Sequence, residues 1–579
     1  MKATHKILTA ALVLCALSAC NEQKFLKEEP YSIYSTDNSL VTQSDYQAMV
    51  NHLYFMIKRS CLDIADQGVT AVLRGCNDYG YNSNKYVKGE GKSTDSNNIE
   101  TWWTPESATL HKGWPYTWDL ISNANVVISR IPESSLDESA KNVLLGEALF
   151  ARSWAYTYLA HIYGGMPLID EELSAPRRDF RRSTRDSTYL FALEGFKKAL
   201  SLLPDIDKAK DGQANKQICQ HMMAEVNICL KKYDDAITCA TNVIEDSRVS
   251  LMTDRFGTLK DKPGDVYWDL FRMGNYQYSK GNHEGLLVYQ TDFNNSASNY
   301  GNYGDRDYLV RDYNCRYIAF KAKFNDGKSY TIFDSKPTSG MCGRAYGYIH
   351  PTDHFLTEIW EGLDGDIRNS DYNIQRDVIV NGPELKALGY YGKWFVKDGV
   401  LDEIVANGYD VKEMYWWPLI TKVANTTYDW PDAEKDASQK NPDAYNGYYV
   451  QTGNGRDHSH KDSYMARLAE TYLLRAEAYA LQGKGDKAAA DINVLRDRAH
   501  SPHIATADID VVLDERMREL YAEENRTVTL MRMGKFVERT RKYNDVVFGY
   551  KDGRNELLPI PYNVIENNVY CTFEQNPGY

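Results

Sequence analysis

Several motifs that announce chemistry are missing from this 579-residue chain. Its cysteines form no C-x-x-C pair and no zinc spacing, which excludes a zinc module and a dithiol redox centre. There is no G-x-S-x-G, no G-x-x-x-x-G-K-S/T and no strand followed by G-x-G-x-x-G, so the serine-hydrolase elbow, the phosphate loop and the dinucleotide fold are absent too. A glycosidase needs only two carboxylates at a suitable separation, which a sequence does not display. No motif here points to catalysis, and no cofactor or metal is expected. Excess positive charge is also missing: 67 Lys and Arg stand against 80 Asp and Glu, a formal net charge of −13. That balance argues against nucleic acid as a partner and against a polybasic grip on anionic lipid. Beyond residue 20 no apolar run approaches the about 20 residues that a membrane-spanning helix needs.

The apolar run that does exist is short and N-terminal. Lys2 and Lys6 precede a stretch from Ile7 to Leu17, and Leu17-Ser18-Ala19-Cys20 closes it with small residues before a cysteine. These are the three parts of an export signal. The cysteine sets the site apart, because a thiol can take a diacylglyceryl group before cleavage. On this reading residues 1–19 are a lipoprotein signal peptide, and Cys20 becomes the acylated first residue of the mature chain. Each buried methylene contributes roughly 0.8 kcal/mol, so two or three acyl chains hold a protein at a membrane stably. The alternative is an ordinary secreted protein with an incidental cysteine at the cut. Of the 10 cysteines, Cys219, Cys229 and Cys239 fall in one helical stretch and read as small buried hydrophobes.

Tyrosine is the compositional outlier, with 43 Tyr beside 11 Trp. It combines a flat apolar face with a hydroxyl, the chemistry of wet recognition surfaces, although any single Tyr can equally fill a helical core. Length alone suggests three or four units of about 150 residues. Residues 20–45 are polar, contain Pro30 and read as a tether. Helical periodicity runs through Ser44–Ile57, Trp114–Arg130, Val143–Tyr163, Thr188–Leu203, Lys216–Leu230 and Ala236–Ile244, with stops at Pro132, Gly164-Gly165 and Pro204. Two stretches resemble each other. Ala224-Glu225 and Ala236 flank one turn, Ala476-Glu477 and Ala488 flank another, and both place small alanines where antiparallel helices approach closely. This is the grammar of tetratricopeptide-like pairs, which must stack on neighbours to bury their apolar faces. The reading is mainly α, a tetratricopeptide-like scaffold: an N-terminal helical region over 46–250, a loop-rich variable subdomain over 251–461, and a C-terminal helical region and tail over 462–579. The middle region is rich in Gly, Asn, Asp and Tyr and too long for one loop.

At this point the chain resembles the SusD/RagB family of outer-membrane nutrient-binding lipoproteins. The resemblance rests on blocks in the family's order: Leu145–Tyr156 followed by Ile162–Ile169, Arg467–Ala478 followed by Ile492–Ala499, Glu515–Leu520 with Glu524–Arg526 and Leu530–Gly534, then Leu558–Pro561 and Gln575–Tyr579. Met533 stands where the family commonly has tryptophan. The resemblance implies a helical fold with four tetratricopeptide-like units and a SusC-type TonB-dependent β-barrel partner at the outer membrane, with the bound face towards the exterior. It also implies oligosaccharide cargo, or peptide in some members, and no catalysis; a lipid-anchored helical scaffold without small ligand is the further alternative. Apart from the resemblance, Arg467, Glu470, Arg475 and Glu477, and likewise Glu515, Arg518, Glu519 and Arg526, recur at helical spacing and read as ion pairs that set helix register.

A sugar offers C–H faces and hydroxyls, so a binder needs aromatic platforms beside carboxylate, amide or guanidinium groups. Two loop-borne clusters carry this mix. One is Asp78, Tyr79 and Tyr81 with Trp102 and Trp103; the other is Tyr276 and Tyr278 with Tyr303, Asp305, Arg306 and Tyr308. In the family, ligand residues come from loops in these two regions. Trp114, Tyr116 and Trp118 read as packing. Arg177, Arg178, Arg181, Arg182 and Arg185 read as a solvated connector, with an acidic polysaccharide or the partner barrel as the alternative. His458 and His460 between Asp457 and Asp462 read as a polar loop, metal ligation being the alternative.

Overall fold

The computed structural model describes residues 40–62, 74–83, 97–291, 308–334, 345–423 and 461–579. Cys20, Tyr303, Asp305, Arg306, His458 and His460 lie outside them. The scaffold helices are α1 (Gln43–Leu62), α2 (Gly113–Arg130), α3 (Glu138–Tyr163), α4 (Arg185–Leu202), α5 (Lys216–Cys229), α6 (Tyr233–Ile244), α7 (Leu468–Leu481), α8 (Gly485–Ala499), α9 (Ile509–Leu520), α10 (Arg526–Arg532) and α11 (Phe536–Tyr543). Local chemistry starts several of them. Asp137, Thr184, Asn215 and Asp508 each accept a hydrogen bond from a backbone N–H in the first turn, at 2.9–3.0 Å, which satisfies donors the helix cannot. Gly165 follows α3 because a Cβ there would sit 1.8 Å from the Ser183 carbonyl oxygen. Within α4, Gly195 lets the helix approach Ser153 of α3 closely; a Cβ would lie 2.1 Å from its hydroxyl.

Each helix from α1 to α6 packs against its successor, and α6 then packs on α7, 223 residues further along the chain. The two helical blocks are therefore one array, interrupted in sequence but continuous in space. Strand Gly285–Tyr289 pairs antiparallel with Ser463–Arg467 and ties the inserted region's two ends together. α3 lies at the centre of the array and is buried on nearly every side from Leu144 to Tyr163, as expected of a helix covered on all faces. Trp114 meets Tyr163 edge-to-face at 4.8 Å and Trp118 meets Tyr156 at 6.2 Å, so both pack, as does Tyr116 beneath the Arg59 guanidinium at 3.7 Å.

The inserted region is more ordered than its composition suggests. It holds a second hydrophobic core between Val310 and Leu419, built largely from rings: Phe320, Phe333, Phe395, Trp416 and Trp417. Its strands are short, Lys321–Lys323 against Ser329–Thr331 and Ile374–Gln375 against Leu419–Ile420. Aromatic packing without helical periodicity explains why the sequence reads as loop.

A buried ion-pair lattice joins the array to the insertion. Arg467 binds Glu284, Glu519 and Glu523 at 2.6–2.8 Å, Arg368 binds Asp366, Glu515 and Glu519 at 2.6–3.1 Å, and Arg498 binds Glu284 and Glu519. Arg475 pairs with Asp491, Glu470 with Arg516, and Glu477 with Arg532. Burial would raise the Glu519 carboxyl, but Arg498, Arg467 and Arg368 outweigh it and hold it well below the usual carboxylate range. The arginine-rich connector is partly a staple: Arg182 donates to the carbonyls of Gly165, Tyr163 and Glu574, and Arg185 to those of Ala160 and His161. The described cysteines are all unbridged. No described helix is long and apolar enough to cross a membrane.

Candidate ligand-binding groove

A groove of about 420 Å³ opens where the second core meets the end of α11. Its floor starts from Gly80–Asn82, which pairs antiparallel with Ile349–Pro351 so that Tyr81 lies opposite His350. Their rings stack at 4.7 Å and 12°, the close cross-strand contact that such a pair allows. His350 continues onto Trp417 at 4.6 Å, and Trp417 donates its indole N–H to the Tyr313 carbonyl at 3.1 Å. Beside it Trp416 packs on Phe395 at 4.8 Å, anchoring the floor in the second core. Asn544 pins the Tyr81 strand by donating to the carbonyls of Asn77 and Gly80 at 2.6 and 2.8 Å.

The walls are polar. Lys412 and Asp545 form an ion pair, and the Tyr81 hydroxyl donates to the Lys412 carbonyl at 3.2 Å. On the other side the short helix Asp353–Leu356 brings His354 against Tyr543 at the end of α11, rings 3.6 Å apart and 17° from parallel. The floor rings are almost covered, whereas Tyr543 is half-buried and is the aromatic of the lining with most surface open. His350 places its two ring nitrogens 2.6 and 2.9 Å from the carbonyls of Pro351 and Val411, and burial pushes its pKa below the ordinary histidine value. The arrangement supplies ring surface, a lysine, carboxylates and hydroxyls around one cleft. That suits a ligand with apolar faces and many hydroxyls, held through several weak contacts.

The groove takes in Tyr81 of the expected residues. Its neighbours in sequence do other work. Asp78 is fully buried and receives Arg526 at 2.7 and 2.9 Å and Arg539 at 2.7 Å. Burial would raise its carboxyl, but the two guanidiniums hold it far below the usual range, leaving no free acceptor for a sugar. Tyr79 is buried with its hydroxyl 2.8 Å from that of Tyr313. Trp103 is buried and stacks on Phe536 at 4.9 Å, while Trp102 is half-buried against the main core. In the second cluster Tyr276 is buried and donates to the Phe271 carbonyl at 3.2 Å. Tyr278 donates to the Arg248 carbonyl at 2.9 Å, and Tyr308 lies under the Arg311 guanidinium at 3.7 Å. Asp78, Tyr79, Trp103 and Tyr276 are thus buried by partners distant in sequence. Near the histidine loop, Asp462 accepts from Gln277 and Thr291 at 2.7–2.8 Å and Lys461 donates to two carbonyls. Among the described residues no cluster of His, Cys, Asp or Glu is arranged to hold a metal ion.

His350, His354, Lys412, Trp416, Tyr543 and Asp545 escape the sequence reading. Tyr415-Trp416-Trp417 carries the same signal as the chosen clusters, aromatics in a loop-rich stretch, and points to the floor. Tyr543 ends an ordinary amphipathic helix and carries no such mark.

Comparison with known proteins agrees with this architecture. A family model described as the SusD family matches residues 390–579, and one described as starch-binding, associating with the outer membrane, matches residues 24–220. The chain belongs to the SusD/RagB family. It is 42% identical over 120 residues to the starch-binding protein SusD of Bacteroides thetaiotaomicron, covering 20% of this chain and 21% of that protein. To a SusD-like protein, P38, of Formosa agariphila it is 29% identical over 178 residues, covering 30% and 34%. The chain thus spans about a third or less of the length of these two relatives. In fold it is similar to a laminarin binding SusD-like protein, with TM-score 0.66, 20% identity and coverage of 93% of this chain and 100% of that one. It is also similar to surface glycan-binding protein A of Bacteroides thetaiotaomicron in complex with laminarihexaose, with TM-score 0.62, 15% identity and coverage of 92% and 99%.

Proposed function

We propose that the protein is a non-catalytic oligosaccharide-binding lipoprotein of the outer membrane, with its binding surface facing the exterior, which passes its cargo to a SusC-type TonB-dependent barrel. The observation that carries the reading is the groove at Tyr81, His350, Trp416, Trp417 and Tyr543, where rings and hydrogen-bonding groups converge. Its volume suits about two or three sugar units, within the ordinary range of ligand clefts. Several of its charges are matched within the protein, Lys412 with Asp545, His354 with Glu358 and Asp514, and Arg541 with Asp552, while Lys542 lies beside the Tyr543 ring. The named glycan ligands of similar proteins, starch and laminarin, fit such neutral chemistry. Membrane attachment falls to Cys20, and the family supplies the expectation of the barrel partner. The decisive experiment titrates the purified protein with laminarihexaose, maltohexaose, xylohexaose and mannohexaose by calorimetry and analyses the sugars afterwards. Heat of binding with intact sugar supports the reading. Shortened sugar, or no binding to any glycan beside co-purified peptide, overturns it.

A further inference from the structure

His354 is held in a way that only one protonation state satisfies. Its Nδ1 lies 2.8 Å from Glu358 Oε2, on its own segment, and its Nε2 lies 3.1 Å from Asp514 Oδ1 on α9. A neutral imidazole carries one N–H and would turn a lone pair towards the second carboxylate; both contacts are hydrogen bonds only when the ring is an imidazolium. Asp514 is itself ionised: burial would raise it, but His354 and Arg539 together hold it below the usual carboxylate range. The ring so fixed is the surface on which Tyr543 lies, at 3.6 Å. Tyr543 is in turn the groove's most open aromatic.

We infer that His354 is the positioning residue of this groove: its charged ring fixes Tyr543 for the ligand, so that binding tightens in acid and weakens in alkali. The inference rests on the glycan reading of the groove. The other groups facing this ring are accounted for. From α11 come Arg539, which binds Asp78, Asp510 and Asp514, and Lys542, whose amine lies 4.6 Å from the Tyr543 ring centre. From α9 come Asp514 and Asp510, and from the groove floor comes His350, whose pKa burial lowers and its two carbonyl partners raise. Imidazole is the side chain among these whose protonation ordinarily changes across this range, so the ring spectrum must distinguish His354 from His350. When the proton leaves Nδ1 or Nε2 for solvent, one hydrogen bond is lost and a lone pair faces a carboxylate. The segment carrying His354 then shifts away from α9 or α11, and Tyr543 loses its backing.

The test is calorimetric titration with the four neutral hexasaccharides at about pH 5.5, 7 and 8.5, in parallel with the histidine ring spectrum of the nitrogen-15-labelled protein. The expected result is binding about tenfold weaker at the alkaline end, together with two protonated ring nitrogens for His354 at the acidic end. His354→Gln should bind at the weak level throughout, with no pH dependence. His354→Arg, a permanent cation with several donors, should restore tight binding at alkaline pH, which a purely structural role would not produce. Should His354→Gln fail to fold, the wild-type pH series and ring spectrum still decide. Equal affinity at all three pH values, or a neutral His354 ring at the acidic end, overturns this inference alone. Absence of binding to every glycan at every pH overturns the glycan reading and this inference with it.

Discussion

The helical array and the second core bury their apolar surface by different rules, and the groove lies along their seam. In the array, periodic apolar faces and small residues let each helix pack on the next, and arginine–carboxylate pairs lock the register. In the insertion, Phe320, Phe333, Phe395 and Trp416 meet at 4.8–6.4 Å with little regular backbone to organise them. Regular packing yields a rigid frame, whereas ring packing tolerates varied chain paths. The first suits a scaffold, and the second supplies Trp416 and Trp417 to the groove.

The sharpest way to break the array's side of that contrast is Glu519→Ala. It removes the one carboxylate that Arg467, Arg498 and Arg368 share in the interior, and should cost about 3–5 kcal/mol, read as a lower urea midpoint. Phe395→Ala strikes the insertion instead. A loss of about 3–4 kcal/mol is expected, confined to the second core, so tryptophan fluorescence should report unfolding before the helical circular-dichroism signal falls.

A third test separates burial from pairing within the array. Glu147 is buried, accepts from the Tyr54 hydroxyl at 2.8 Å, and its pKa is pushed up to about 7, chiefly by burial. Because the folded value exceeds the unfolded one, the unfolded state ionises first. Stability should fall as pH rises from about 4.5 to about 7 and stay reduced above that. Glu147→Gln should therefore stabilise by roughly 3 kcal/mol at about pH 8 and by little at about pH 4, read from urea midpoints at both. A smaller effect is expected at the seam, where Tyr543→Ala should weaken glycan binding about tenfold, equivalent to about 1.4 kcal/mol. Tyr278→Ala, outside the groove, should leave it unchanged. Smallest of all, Arg177→Ala removes an exposed pair with Asp179 and should leave the urea midpoint unchanged.

The two modes of packing also explain what could be read in advance. α1 to α8 are legible because their apolar spacing and stops are local, and the ion-pair role of Arg467, Glu515 and Glu519 follows from their positions on helices. That α6 packs directly on α7 is not legible, because 223 residues separate two helices that touch. The second core is hidden for another reason: its rings recur at no fixed interval. At the proposed groove, loop-borne aromatics single out Tyr81, which lines it, and equally Trp103 and Tyr276, which are buried in the core. Asp78 illustrates the limit best, since its partners Arg526 and Arg539 lie 448 and 461 residues away.

The central claim, that a cleft at the seam grips intact sugar, is tested most directly by a crystal structure of the protein soaked with whichever hexasaccharide binds in solution. The account predicts an unbroken chain lying against Tyr543 over Tyr81 and Trp416. Sugar bound elsewhere with this cleft empty, or a cleaved product within it, would contradict the account.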